Sequence, residues 1–405
     1  MSGADPSTLG SSAIRGVLWK LLGLLPEAAQ LRLRPSKFGF APADVPAPVE
    51  APDAGIRLYL GPANSAGQGW AWARAAERNS DVGAVSMQYR AERDLGYPSD
   101  NDVPRAVVAR SRTWGRRQFQ AVAGRFTHVI AESQLPLFGL AFDNDPVREA
   151  RALQAAGVRF ASLCHGSDIR LPSRHRVHEP DSPFHADDAP LTLRLEEGAQ
   201  RRAQILDELD GVEFVSTPDL LRDRPRALWL PVVVDPQRWA AARPPLEHER
   251  PVVLHAPSDV GLKGTELVRE TLERMHEAGE ITLRMPERMP ADRVPAEVAA
   301  ADIVLDQFSL GIYGVAACEA MAAGRVVVSH VSDFVRGHVR RATGSDLPIV
   351  EAPAAELEAV LREIIADRGR FRIQAENGVD FVRRIHDGRR SAEVLAAFLT
   401  APEGS

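Results

Sequence analysis

Residues 301–330 read ADIVLDQFSLGIYGVAACEAMAAGRVVVSH and decide the fold. An apolar run ends at Asp306, and a glycine-bearing loop then leads into a helix that we expect to begin near Gly314. Gly324 lies where glycine commonly ends a helix, and the apolar run at 325–330 is predicted to be the next strand. A strand, a helix and a second strand in this order predict two parallel strands joined by a crossover helix.

The same alternation extends along the chain in both directions. Further apolar runs typical of buried strands lie at 56–60, 82–87, 127–131, 159–163, 212–216, 227–234, 251–255, 281–285 and 348–350. Strands that alternate with helices predict parallel sheets covered by helices on both faces. Because 405 residues exceed what one hydrophobic core usually supports, we expect an α/β protein with two Rossmann-like, doubly wound parallel-sheet domains that face a cleft.

The domain boundaries follow from this pattern. An N-terminal amphipathic helix and a Pro- and Ala-rich linker are expected over 1–50, a first Rossmann-like domain over 51–235, and a second over 236–385. Residues 386–405 are predicted to form a helix that packs back on the first domain. Ligands of doubly wound sheets bind beyond the carboxyl ends of the strands, so we expect the binding site in the cleft.

Composition excludes several classes of function. The net charge is −6 and no basic stripe with interleaved aromatic residues occurs, so nucleic acid is not an expected partner. The cysteines Cys164 and Cys318 are too few for a disulfide framework and fit buried thiols in a reducing cytoplasm. No apolar run is long enough to span a bilayer. The expectation is a cytoplasmic protein that uses neither a metal ion nor an organic cofactor.

The N-terminal segment leaves two alternatives open. Apolar residues recur at helical spacing over 14–25, with basic residues among and after them. We favour docking on the protein's own body, because amphipathic stripes most often serve packing. The other alternative is peripheral contact with an anionic membrane through residues 11–33. A signal peptide fits poorly because Lys20 interrupts the apolar region.

The helix that begins near Gly314 carries the strongest functional signal. Its first backbone N–H groups lack intrahelical partners, and with the positive end of the helix dipole they suit a diphosphate. Glu319 lies about one and a half turns further, where a carboxylate can accept hydrogen bonds from the vicinal hydroxyls of a ribose. An exposed helix carboxylate is the weaker interpretation, because the residues around Glu319 are small or apolar.

Residues 311–324, GIYGVAACEAMAAG, resemble the signature of retaining GT-B glycosyltransferases, especially glycosyltransferase family 4. That signature carries two glutamates, of which the second binds the donor ribose. Glu319 matches the second glutamate, whereas Gly311 stands in place of the first.

Residues 255–266, HAPSDVGLKGTE, resemble the same family's loop for the donor phosphates. Lys263 matches the lysine of that loop, and Ser258 stands at the position of its arginine. The alternative for Lys263 is a surface lysine at a helix start, where the helix dipole disfavours a cation. The resemblance covers roughly residues 159–397 and the first domain only in outline.

The resemblance implies a metal-independent, retaining transfer of a sugar from a nucleoside diphosphate donor to a hydroxyl of a carbohydrate, lipid-linked or small-molecule acceptor. It implies catalytic roles for His165 and for Lys263, the latter on the leaving diphosphate. The expected donor-binding residues are Lys263, Gly264, Gly311, Ile312, Tyr313, Gly314, Val315 and Glu319. The expected acceptor or phosphate loop comprises Gly67, Gln68, Gly69 and Asp168.

Two of these first-domain interpretations have structural alternatives. Gly67 and Gly69 permit close backbone approach to a ligand, but any turn from a strand to a helix favours glycine. His165 and Asp168 follow a strand and therefore face the cleft, yet Asp168 equally fits a capping residue. Residues 174–188, rich in His, Asp and Pro, are predicted to form a surface loop or a mobile lid.

Other candidate sites are weaker. The acidic pairs Asp100 with Asp102 and Asp143 with Asp145 offer carboxylates for a metal ion. Capping explains Asp145 better because a proline follows it, so no metal site is predicted. The rival function is a catalytically inactive GT-B-shaped binding or scaffolding protein, since Gly311 and Ser258 each remove a donor contact.

Overall fold

The computed structural model describes residues 25–33, 35–90, 96–186, 189–209, 211–257, 259–286, 289 and 292–401. The apolar stripe predicted at 14–25 lies outside these residues except for Leu25, and so does Ser258. Within the described residues, no helix is both long enough and apolar enough to cross a membrane.

The strands overlap every predicted apolar run, and one of them, at Asn101–Pro104, was not predicted. They are β1 (Ile56–Gly61), β2 (Val82–Arg90), β3 (Asn101–Pro104), β4 (His128–Glu132), β5 (Arg159–Cys164), β6 (Val212–Val215), β7 (Leu228–Trp229), β8 (Val252–His255), β9 (Thr282–Arg284), β10 (Ile303–Leu305), β11 (Val326–Ser329) and β12 (Val350–Glu351). Within the described residues they pair in the orders β3-β2-β1-β4-β5-β6-β7 and β12-β11-β10-β8-β9, and all the pairings are parallel. Both orders reverse beside the first strand of the sheet, as in doubly wound folds, which confirms the predicted fold class.

Helices connect and cover these strands. They are α1 (Glu27–Leu33), α2 (Pro35–Phe38), α3 (Gln68–Ala76), α4 (Arg105–Arg110), α5 (Arg112–Arg125), α6 (Pro146–Ala155), α7 (Pro172–His178), α8 (Pro190–Glu208), α9 (Pro236–Trp239), α10 (Thr265–Glu277), α11 (Val294–Ala300), α12 (Val315–Ala322), α13 (Asp333–Thr343), α14 (Leu357–Ala366), α15 (Arg368–Phe381) and α16 (Arg389–Leu399). A single π-helical turn, Val382–His386, joins α15 to α16. Because α9 lies between the two sheets in sequence, the residues up to β7 are called the first half and those from β8 to α15 the second half.

The strand registers bring chemically important loops together. In the first half, β1 pairs with β4 and β4 with β5, so the segments that follow Gly61, Glu132 and Cys164 leave one edge side by side. In the second half, β10 lies between β8 and β11. The loops after β8 and β10 are therefore neighbours, which places the Lys263 segment against the segment that leads into α12.

The C-terminal residues return to the first half. Helix α16 packs against α3, and the Ser391 hydroxyl donates to the Pro231 carbonyl over 2.8 Å. The Arg159 guanidinium donates to the Ala401 carbonyl over 2.7 Å. The π-helical turn makes this return possible by redirecting the chain between α15 and α16.

The segment 174–188 differs in part from the predicted surface loop. Helix α7 takes up its first part, and Glu179 and Phe184 are buried. The His175 ring contacts Phe184 edge to face at 5.3 Å, and its Nε2 atom lies 3.2 Å from the Leu310 carbonyl of the second half. The prediction of a surface loop is wrong for His175, Glu179 and Phe184, which are buried, although other residues of the segment, such as Val177, are exposed. The alternative of a mobile lid stays a prediction.

Residues 25–50 dock on the first half. Leu31, Phe38, Phe40 and Val49 are buried in the cluster that holds β2, β4 and α5 together. The Glu27 carboxylate accepts from the backbone N–H of Thr113 over 3.0 Å and from the Ser111 hydroxyl, so α1 also stabilises the start of α5.

We predict that Leu31→Ala destabilises the protein by about 2 kcal/mol or more, because it removes a buried side chain and leaves a cavity. Leu33→Ala is the matched control, since Leu33 lies on the same helix with 61% of its surface exposed, and should change stability by less than about 0.5 kcal/mol. Urea unfolding followed by tryptophan fluorescence measures both variants. Equal effects would contradict the docking of α1.

Candidate active site

Two loops of the second half are joined by three contacts. The Lys263 ammonium donates to Asp306 Oδ1 over 2.6 Å, and the Lys263 carbonyl accepts from the Phe308 N–H over 2.9 Å. The Ser309 hydroxyl donates to the Leu262 carbonyl over 3.0 Å. A Cβ at Gly264 would lie 2.7 Å from Ser309 Oγ, and its φ is +71°, so only glycine fits this close approach. These contacts fix the Lys263 side chain beside the carboxyl end of β10.

Helix α12 begins beside this pair without a capping side chain. Its N-cap, Gly314, has an extended backbone, and nothing lies within 4 Å of where its Cβ would be. The first N–H groups of the helix therefore have no capping side chain among the described residues, which suits an anion. The backbone of residues 311–315 forms this surface, but the Tyr313 side chain turns inward, and its hydroxyl lies 3.3 Å from His386 Nε2. Of the predicted donor residues, Tyr313 thus offers only its backbone.

Glu319 lies within α12 and is partly buried. Burial raises the pKa of Glu319 to about 8; Arg238 counteracts this increase and Asp306 adds to it. Burial also raises the pKa of Tyr97, and the charge of Glu319 contributes to that increase. Arg238 on α9 and Tyr97 in the first half are therefore within electrostatic range of Glu319. Sequence analysis missed Arg238 and Tyr97, because neither belongs to a motif.

Within the described structure, Asp306 has only one of its two carboxylate oxygens hydrogen-bonded. Its Oδ1 atom binds Lys263, whereas Oδ2 is buried and has no hydrogen-bond partner among the described residues. A buried carboxylate oxygen without a donor is costly, so the site is electrostatically incomplete. In the sequence, the only signal that Asp306 belongs to the site was its position as the last residue of an apolar run.

The glycine loop of the first half reaches the same region. Gly67 has a φ of +74°, and a Cβ there would lie 3.0 Å from the Tyr97 ring. The neighbouring Gln68 amide accepts from the Val233 N–H over 2.6 Å and donates to the Val233 carbonyl over 3.0 Å. Gln68 therefore holds the segment leading to α9. A Cβ at Gly69 would lie 3.2 Å from Glu132 Oε1, so this part of the loop is closely packed.

His165 and Glu132 form a second cleft-facing pair, in the first half. The His165 Nε2 atom lies 2.9 Å from Glu132 Oε1, and the ring stacks on Trp72 at 5.6 Å. Burial lowers the pKa of His165, but the hydrogen bond and charge of Glu132 outweigh it, so the pKa is raised. Glu132 is fully buried and also accepts from the Asn64 N–H over 2.8 Å. The sequence signal that we missed was a carboxylate at the end of an apolar strand.

Asp168 and the acidic pairs are engaged in local structure. The Asp168 carboxylate accepts from the N–H groups of His165 and Gly166 over 2.9 and 2.7 Å and from the Ser133 hydroxyl over 2.6 Å. These contacts fix the turn that follows β5, and Asp168 does not cap the next helix, whose N-cap is Leu171. Similar local contacts satisfy the acidic pairs: Asp145 caps α6, Asp143 pairs with Arg112 and Arg148, Asp100 binds Ser86, and Asp102 pairs with Arg90.

The structure thus brings the predicted donor residues together and keeps His165 apart from them. Asp306 links the donor group, because it binds Lys263 and acts on Glu319 electrostatically. Among the described residues, His165 makes no hydrogen bond, ion pair or ring contact with the donor group.

We predict that Glu319 makes the unliganded protein less stable as pH rises. Folded Glu319 keeps its proton up to about pH 8, whereas a free glutamate ionises near 4.5. Between these values the folded state binds more protons, so the free energy of unfolding falls with pH, by at most about 1.4 kcal/mol per unit. Glu319→Gln should flatten this dependence in urea unfolding from pH 5 to 8. Glu273→Gln, at an exposed position, should retain it, and an unchanged slope in Glu319→Gln would refute the prediction.

No protein-family model and no curated protein matches the chain. Solved structures with a similar fold include the catalytic domain of starch synthase IV from Arabidopsis thaliana bound to ADP and acarbose. It is 10% identical with a TM-score of 0.53, and the match covers 86% of this chain and 100% of that one. HepE from Anabaena, in complex with UDP and glucose, is 12% identical with a TM-score of 0.51, covering 86% and 100%. Sucrose-phosphate synthase from Thermosynechococcus elongatus is 12% identical with a TM-score of 0.50, covering 84% and 97%. At such identities the likeness concerns the fold alone, and this chain has the GT-B fold.

Proposed function

We propose that this protein is a metal-independent, retaining glycosyltransferase that moves a sugar from a nucleoside diphosphate to a hydroxyl acceptor. The observation that carries the proposal is the uncapped start of α12 beside the Lys263–Asp306 pair, with Glu319 one turn further along the helix. The helix start and Lys263 suit a diphosphate, and Glu319 suits a ribose. The complexes of HepE with UDP and of starch synthase IV with ADP support a donor of this class.

The proposed chemistry is electrostatic. As the bond between the sugar and the diphosphate breaks, negative charge grows on the leaving phosphate, and the N–H groups of α12 with the Lys263 ammonium stabilise it. Lys263 is already held by Asp306, so little reorganisation precedes the reaction. The retaining outcome and the kinship with glycosyltransferase family 4 rest on the resemblance of residues 311–324.

The acceptor is proposed to bind on the first-half side of the cleft. The His165 Nε2 atom is engaged by Glu132, so a bond to substrate would use Nδ1, which has no hydrogen bond among the described residues. The buried Glu132 carboxylate fixes the ring and favours a proton on Nε2. Gly67 and Gly69 shape the same wall, while Asp168 holds the loop beneath it. A carbohydrate, a small molecule or a lipid-linked sugar would fit this role, the last with peripheral membrane contact through 11–33 in the cytoplasm.

Metal independence is part of the proposal. Within the described part of the chain, no three His, Cys, Asp or Glu side chains converge as ion ligands. The cationic groups near the donor site, Lys263 and Arg238, carry positive charge that a metal ion supplies in other transferases. The rival function, an inactive binding protein, would bind nucleotide without turnover.

We predict that one nucleoside diphosphate in a panel of UDP, GDP, ADP and dTDP stabilises the protein in EDTA. A ligand at 100 times its dissociation constant adds about 2.7 kcal/mol, which a thermal-shift assay detects. The best ribonucleotide should bind about tenfold more tightly than its 2′-deoxy form, and Glu319→Gln should reduce that preference because a neutral amide oxygen is a weaker hydrogen-bond acceptor than a carboxylate.

Glu273→Gln is the matched control for this experiment and should keep the ribose preference. If no diphosphate binds, the proposed function is wrong. If binding or turnover requires Mn²⁺, metal independence is wrong. Tight nucleotide binding with neither hydrolysis nor transfer of the sugar would favour the inactive binding protein.

We predict that Lys263→Ala lowers kcat about 100-fold or more and changes KM much less, because the contact strengthens in the transition state. The substitution leaves Asp306 without its cation, so the double variant Lys263→Ala with Asp306→Asn controls for buried charge. Steady-state kinetics of sugar transfer or donor hydrolysis measures both. A rise in KM at unchanged kcat would assign Lys263 to ground-state binding instead.

A further inference from the structure

A carboxylate from the first half reaches into the donor loop. Glu179 follows α7, and only 5% of its surface is exposed. Its Oε2 atom accepts from His330 Nε2 over 2.9 Å, across the cleft. The second oxygen, Oε1, has no hydrogen bond among the described residues. Glu179 is therefore a largely buried carboxylate with one acceptor atom available.

This carboxylate occupies the space of a side chain at residue 311. Gly311 has a φ of +64°, and a Cβ built on it would lie 2.5 Å from Glu179 Cδ and Oε2 and 2.6 Å from Oε1. Such distances are far inside van der Waals contact, so no side chain fits at 311 while Glu179 is in place. The two positions are complementary, because the residue that lacks a side chain lies against a carboxylate from the opposite half.

The position of Gly311 relative to the helix indicates what the carboxylate would contact. In the proposed function the diphosphate lies at the start of α12 and the ribose at Glu319, further along the helix. The sugar is attached to the other end of the diphosphate, so it extends away from Glu319 and toward the loop before the helix. Gly311 and the Glu179 carboxylate lie on that side.

We infer that Glu179 accepts hydrogen bonds from the hydroxyls of the donor sugar and so helps to select a polyhydroxylated sugar. The inference rests on the proposed function, since it assumes that a nucleoside diphosphate sugar occupies the donor loop. Carboxylates suit this role because each oxygen accepts more than one hydrogen bond, and a charged acceptor binds a hydroxyl more strongly than a neutral one.

The surroundings of Glu179 hold its carboxylate in place. His330 donates to Glu179 through Nε2 and approaches Glu351 Oε1 through Nδ1 over 2.7 Å. These two carboxylates raise the pKa of His330 to about 9, so the ring is a cation at neutral pH. A cation on one side and the Gly311 backbone on the other orient the carboxylate for a ligand in the donor loop.

The competing role is structural, because the Glu179–His330 pair also bridges the two halves. The two roles differ in what they do to ligands with and without a sugar. A bridge acts on the whole cleft, so its loss weakens a diphosphate and its sugar conjugate alike. A sugar contact affects the conjugate alone.

The test compares Glu179→Gln with the wild-type protein by calorimetry, using the best diphosphate of the panel and its sugar conjugates, beginning with UDP and UDP-glucose. We expect the affinity for the diphosphate to stay within about twofold and the affinity for the conjugate to fall about tenfold. Glu196→Gln is the matched control. Its carboxylate binds Ser173 at the start of α7 and does not contact Gly311, so both affinities should be unchanged.

A second variant moves the carboxylate across the cleft. Gly311→Glu alone should disrupt the site, because its side chain collides with Glu179. The double variant Glu179→Gly with Gly311→Glu should recover part of the affinity for the conjugate, although a non-glycine residue at a φ of +64° is strained. Equal weakening of diphosphate and conjugate by Glu179→Gln, or no weakening, would overturn the inference. Failure of every diphosphate to bind would instead overturn the proposed function.

Discussion

The geometry of the cleft depends on one buried histidine at the point where the chain crosses between the halves. His386 Nδ1 lies 2.8 Å from the Val232 carbonyl, in the segment that leads to α9, and Nε2 faces the Tyr313 hydroxyl. Burial lowers the pKa of His386 to about 4, so it is neutral and can donate from one nitrogen while accepting at the other. Tyr313 immediately precedes the N-cap of α12. The same ring therefore fixes the start of the candidate phosphate-binding helix to the first half.

Around the start of α12, the cleft contains charged and polar groups whose burial destabilises the folded state. Asp306 and Glu319 are two carboxylates of one small region, and each disfavours the charge of the other. Lys263 compensates Asp306 directly, whereas Arg238 acts on Glu319 without a hydrogen bond to it in the described structure. A buried oxygen without a donor and a glutamate that holds its proton to about pH 8 are costs to folding. Such costs are typical of binding sites, where ligand groups rather than protein groups complete the hydrogen bonds.

Most strands and the glycine-bearing loop before α12 could be predicted from sequence because their signals are local. Apolar runs indicate strands that are buried on both faces of a sheet. A glycine before a helix of small residues indicates a helix that starts without a capping side chain. The side chains that act between the halves could not be predicted in this way. Glu132, Arg238 and Tyr97 belong to no pattern, and 174–188 has the composition of an exposed loop although Glu179 is buried in it. Hydrophobic periodicity shows which residues are inside, but it does not show which loops of two domains meet.

Gly311 illustrates how this limit affects functional interpretation. Taken along the chain, a glycine at the position of a glutamate in the signature that residues 311–324 resemble indicates a lost contact and favours an inactive protein. In the folded structure the same glycine is the only residue that leaves room for the Glu179 carboxylate. A carboxylate is therefore present at the loop, but it is contributed by a residue far away in sequence. The absence of a motif residue shows that its chemical group is absent only when no other residue fills the space of its side chain. At Gly311 that space is filled by the Glu179 carboxylate.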